Sequence, residues 1–150
     1  MLNLNNNRYV ILELIPTSLS GGDIVQISAL KLNGIKLEDR FDYRLDKSLV
    51  KIPELLEMTN YDNESFKYVK KSATIINNLK KFIEDLPLLI IDNEYTNNYL
   101  DDIKNEKINI FKYFDIEISN NCFNELMEKY NLEASNHLVD LLYEALIREL

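Results

Sequence analysis

Glu13 is the only charge in an almost continuously apolar, β-branched run from Tyr9 to Ile15. A carboxylate buried there without a partner is costly. It calls for a Lys or Arg, for solvent at the strand end, or for a site that uses its charge. Asp140 stands near the start of the last helical stretch, where a negative charge suits the helix dipole and Ser135 or Asn136 can serve as a cap. Asp92 and Glu94 flank the start of another helical stretch, and His137, the single histidine, lies three residues before Asp140. Cys122, the single cysteine, begins a helix, a position that can lower a thiol pKa. No second group for nucleophilic chemistry accompanies it, so it reads as a packed side chain. Phe66-Lys67-Tyr68-Val69-Lys70-Lys71, followed a helix later by Lys80-Lys81, is the one basic-aromatic cluster and the first place to look for weak nucleic-acid contact.

The bulk properties narrow the setting. With 150 residues, 46% of them hydrophobic, the chain has room for one core. Its net charge of −8 counts against a broad nucleic-acid footprint. Residues 101–150 carry most of that excess, with five basic against eleven acidic residues. A lone cysteine excludes an internal disulfide and zinc sites built on paired cysteines. The Asn-rich start, expected to be a flexible lead over residues 1–7, lacks the character of a signal peptide, and no apolar run reaches the roughly 18 residues of a membrane span. A cytoplasmic protein with no membrane partner is expected.

Hydrophobic periodicity supplies the elements that position these groups. Tyr9 to Ile15 reads as a central strand covered on both faces, Asp23 to Leu32 as a second strand, and Ile35 to Leu45 as a third after the Asn33-Gly34 turn. Short helices are expected over Glu54 to Met58 and Asn63 to Lys71, and a longer amphipathic one over Ser72 to Asp85, with Ile75, Ile76, Leu79, Phe82 and Ile83 on one face. A buried strand at Leu88 to Ile91, a helix at Glu94 to Lys104 and a strand at Ile108 to Ile118 follow. Two helices, Cys122 to Tyr130 and His137 to Glu149, close the chain. Tyr95 and Tyr99, four residues apart, read as core contacts. The order implies an α/β fold, a mixed five-stranded sheet flanked by helices.

That order and several local strings resemble the DnaQ-like 3′-5′ exonucleases of the ribonuclease H-like fold, in the branch named for four acidic residues and a histidine. The resemblance spans about Arg8 to Leu150, as a single domain. Tyr9 to Ser20 is similar to the family's first motif, an apolar strand ending Asp-x-Glu-Thr-Thr-Gly-Leu. Asp23 to Leu32 looks like its second strand, and Ile52-Pro53 with Leu55 through Thr59 like its Ile-Pro…Leu-Thr-Gly segment. Leu89 to Leu100 falls where the family has His-Asn-Ala-x-Phe-Asp-x-x-Phe-Leu. Ser135 to Ala145 matches His-x-Ala-Leu-x-Asp-Ala-x-x-Thr-Ala, with Leu138, Asp140 and Ala145 in register.

The family's chemistry needs carboxylates converging on two Mg²⁺ ions and a His as general base. At those positions this chain carries Glu13 for the first Asp, Ile15 for the first Glu, Thr96 for the middle Asp, Ser135 for the His and Asp140 for the last Asp. The resemblance thus implies an eroded metal site, with Glu13 and Asp140 as residual ligands. The expected protein is a catalytically inactive pseudo-exonuclease that acts as a binding or interaction module and needs no cofactor. Protein partners or a second copy are favoured over nucleic acid, whose weak contact would fall on Lys67, Lys70, Lys71, Lys80 and Lys81. The rival is an active Mg²⁺- or Mn²⁺-dependent 3′-5′ exonuclease on single-stranded DNA or RNA, with Asp92 or Glu94 completing the ligand set. A third reading is an unrelated interaction domain with the same element order.

Overall fold

The computed structural model describes residues 2–16, 24–46, 66–134 and 137–150. Its centre is β1 (Arg8–Pro16), an apolar strand with a neighbour on each side. β2 (Ile24–Asn33) pairs with it antiparallel, and β5 (Leu88–Ile90) pairs parallel on its other side. β3 (Lys36–Leu45) continues the antiparallel meander, β4 (Lys67–Val69) adds parallel to β3, and β6 (Lys107–Asn109) adds parallel to β5. The six strands run in the order β4-β3-β2-β1-β5-β6.

Successive side chains of a strand point to opposite faces, and β1 shows both faces buried. Tyr9 and Ile11 join the core beneath α3 (Cys122–Tyr130) and α4 (Leu138–Glu149), packing with Leu126, Val139 and Leu142. Val10, Leu12 and Leu14 join the opposite core beneath α1 (Ser72–Ile83), with Ile75, Leu79 and Ile83. A short helix, α2 (Glu94–Tyr99), follows β5 and is capped by Asn93, whose side chain accepts a hydrogen bond from the Thr96 amide at 2.9 Å. The result is an α/β fold, a mixed sheet between helical layers.

The differences from the sequence expectation lie in the shortest elements. The sheet has six strands, not five, because 67–69 pairs with β3 where the end of a 63–71 helix is expected. The expected strand Ile108 to Ile118 is reduced to β6, after which residues 110–113 form a 3-10 turn that buries Ile110 and Phe111. α2 stops at Tyr99 rather than Lys104. The Asn-rich lead is tied down: Leu4 is buried in the α3–α4 core, and the Tyr113 hydroxyl donates to the Leu2 carbonyl. At the β2–β3 turn, Gly34 has φ +60°, and a Cβ there would lie 3.0 Å from the Asn5 carbonyl oxygen, so this position needs glycine. The expected helix over Glu54 to Met58 lies outside the described residues.

α4 carries Asp140, and its seat depends on Val139, Leu142 and Ala145, all fully buried. Leu142→Ala should cost about 2–5 kcal/mol in urea denaturation. A loss below about 1 kcal/mol would show that α4 is not packed as described.

Candidate functional site

The strand register assembles the site. Glu13 pairs across to Ser28, and Ser28 to Asp42; in the next row Ile15 pairs with Gln26, and Gln26 with Arg44. Because alternate residues share a face, Glu13, Ile15, Gln26, Ser28, Arg40, Asp42 and Arg44 all project toward the α4 side of the sheet. A layer that would otherwise be apolar therefore holds a polar row. Glu13, Gln26, Ser28, Asp42 and Arg44 are all buried, Arg44 at 1% exposure.

The hydrogen bonds in this row are specific. The Ser28 hydroxyl donates to Asp42 Oδ1 at 2.8 Å, and Arg40 Nε donates to Asp42 Oδ2 at 2.8 Å. Arg40 then reaches α4, donating from Nη1 and Nη2 to the two oxygens of Asp140 at 3.2 and 3.4 Å. Arg44 donates through Nε to Gln26 Oε1 at 2.7 Å and lays its guanidinium 3.8 Å from the centre of the Phe66 ring. Phe66 stacks in turn on His137, the residue that precedes α4.

Glu13 receives least from this network. Gln26 Nε2 donates to its Oε1 at 3.4 Å, while its Oε2 is buried with no hydrogen-bond partner among the described residues. Loss of water around the carboxylate pushes its pKa up to about 7; the Arg44 charge opposes this, and Asp42 and Asp140 add to it. Glu13 lines a cavity of about 570 Å³ together with Ile15, Tyr95, Ile118, Phe123 and Leu138 and with Asn93, Ser119, Asn120, Gln26, Cys122 and Arg44.

The expected site residues are only partly brought together. Glu13 and Ile15 share that cavity, whereas Asp140 lines a second cleft of about 400 Å³ with Arg40, Asp42, Lys67 and His137. Thr96 is buried and lines neither cleft. Ser135 lies outside the described residues. Asp92, the proposed substitute ligand, accepts from Asn97 Nδ2 and faces a third cleft beside Lys107, and Glu94 is exposed at the start of α2. Among the described residues, no three His, Cys, Asp or Glu side chains converge as metal ligands would.

Lys67, Lys70, Lys71, Lys80 and Lys81 are exposed, but α1 separates them: Lys71 immediately precedes its first residue and Lys80 and Lys81 occupy its last turn, about 14 Å further along the axis. Cationic residues in a last turn also suit the helix dipole. No helix among the described residues is long and apolar enough to cross a membrane.

Gln26, Ser28, Arg40, Asp42 and Arg44 are site residues that the sequence reading passed over. The signal for the three on β3 is the alternation Arg40-Phe41-Asp42-Tyr43-Arg44-Leu45, polar at every second position, and Gln26 and Ser28 show the same spacing on β2. Compared with known proteins, the chain matches no family model and no curated sequence.

The raised Glu13 pKa sets a pH dependence. In the unfolded chain this carboxyl ionises near 4.5, and in the fold near 7. Between those values the folded state holds the extra proton, so this group's contribution to stability falls as pH rises from about 4.5 to 7 and is flat above, a change of roughly 3 kcal/mol. Glu13→Gln removes that slope. It should gain stability over the parent when pH is raised from 4.5 to 8, measured by urea denaturation at both values; an equal difference at both would show that Glu13 is not desolvated.

Proposed function

We propose that the chain is a ribonuclease H-like, DnaQ-like domain that has lost metal-dependent catalysis and serves as a binding module. The observation that carries this reading is the bidentate reach of Arg40 to Asp140 while it also holds Asp42. Two-metal phosphoryl chemistry requires carboxylates free to bind cations about 4 Å apart. Here a guanidinium from β3 neutralises the Asp140 carboxylate, and Glu13 lines a different cavity. Ile15 and Thr96 supply no charge at the remaining positions.

The surface charge favours a protein partner over a nucleic acid. Eleven acidic residues against five basic ones in 101–150 repel a phosphate backbone, and the lysines fall into groups at the two ends of α1. A basic protein surface is the complement of that half.

Purified protein should leave single-stranded DNA and short RNA undigested in Mg²⁺ or Mn²⁺. Digestion that disappears in Glu13→Ala would overturn the reading and establish an active exonuclease. Any oligonucleotide affinity should be weak, fall steeply with salt, and drop further when Lys67, Lys70, Lys71, Lys80 and Lys81 are replaced by Ala. Tight binding at physiological salt that survives those replacements would contradict the charge argument.

A further inference from the structure

The cavity at Glu13 has the size and mixed lining of a small-molecule site: about 570 Å³, with apolar and aromatic side chains beside the polar groups of Glu13, Gln26, Arg44 and Asn93. Its lining contains an anomaly. Glu13 Oε2 is buried with no hydrogen-bond partner among the described residues, although a buried carboxylate oxygen without a donor is strongly disfavoured. Arg44, in the same wall, donates its Nε to Gln26 and lays its guanidinium on Phe66. Arg40 binds Asp42 and Asp140, which line the second cleft and not this cavity.

We propose that this cavity binds a small organic cation, an amine or guanidine on an aromatic or branched apolar body, with its N–H donors on Glu13 Oε2. An ammonium or guanidinium supplies the charged hydrogen bond that Glu13 Oε2 lacks among the described residues, whereas an anion has no donor to offer that carboxylate. A hard divalent ion is a poorer fit, since it takes several oxygen ligands and Glu13 is the only carboxylate among the described residues of the cavity wall. Tyr95 and Phe123 supply ring surfaces for the cation and its body, and Ile15, Ile118 and Leu138 supply the rest of the apolar contact. This inference rests on the cavity and the unpaired oxygen, and not on the loss of nuclease activity, so the two can fail separately.

The test is titration of the full-length, ¹⁵N-labelled chain with 2-phenylethylamine and, in parallel, with the neutral 2-phenylethanol. The amine should shift amide signals of residues lining the cavity and bind roughly ten- to a hundredfold tighter than the alcohol, the worth of a charged hydrogen bond. Glu13→Gln, nearly isosteric and free of a buried charge, should bring the amine down to the alcohol's affinity. Equal binding of the two compounds by the parent protein overturns the proposal, and this comparison needs no variant. So does the absence of amine binding, retention of full amine affinity in a folded Glu13→Gln, or displacement of the amine by Mn²⁺.

Discussion

A carboxylate sits in the one strand that helices cover on both sides, and the polar architecture of the protein is arranged around that constraint. A one-residue shift of β1 would turn Tyr9 and Ile11 out of the α3–α4 core and carry Glu13 only into the opposite core beneath α1, since it exchanges every side chain between faces. The charge must therefore be met where it is. β2 and β3 bring Gln26, Ser28, Asp42 and Arg44 to the same face in register with it, and α4 adds Asp140 through Arg40.

The arginines have different tasks. Arg40 is a strut between layers, joining the sheet at Asp42 to the first turn of α4 at Asp140, where the dipole also favours a negative charge. Its pair with Asp140 is partly exposed and contributes little by itself. Its hold on the buried Asp42 matters more, because removing one partner from a buried charge leaves the other uncompensated. Arg44 is buried, with its guanidinium against the Phe66 ring. It offsets part of the Glu13 charge at a distance while its hydrogen bond goes to Gln26. Glu13 is the member of the network least supported by contacts, and its pKa records that.

Much of this was legible in the chain. The apolar run at β1 identified the central strand and its neighbours, Asp23 to Leu32 and Leu88 to Ile91, because a strand buried on both faces has no polar alternation to obscure it. Cys122–Tyr130 and Leu138–Glu149 were legible from their apolar spacing. β4 was not, since three residues hold too little pattern to separate a strand from a helix end, and it exists through pairing with β3; β6 was legible as the start of the strand expected over Ile108 to Ile118 but not in its length. Glu13 and Asp140 stood out as site residues by their position. Their arginine partners did not, because Arg40, Asp42 and Arg44 alternate like the solvent side of a strand, and only the position of α4 shows that this side faces inward.

The central claim is that Arg40, and not a metal ion, answers Asp140 at the start of α4, so that no cation is shared between Asp140 and Glu13 at the end of β1. Paramagnetic broadening by Mn²⁺ tests it most directly, since a bound ion bleaches amide signals around it. On titrating Mn²⁺ into ¹⁵N-labelled protein, the amides of residues 12–14 and 139–141 should broaden no more than those of exposed acidic residues elsewhere. Early and simultaneous bleaching of both segments would place a cation between Glu13 and Asp140 and contradict the account.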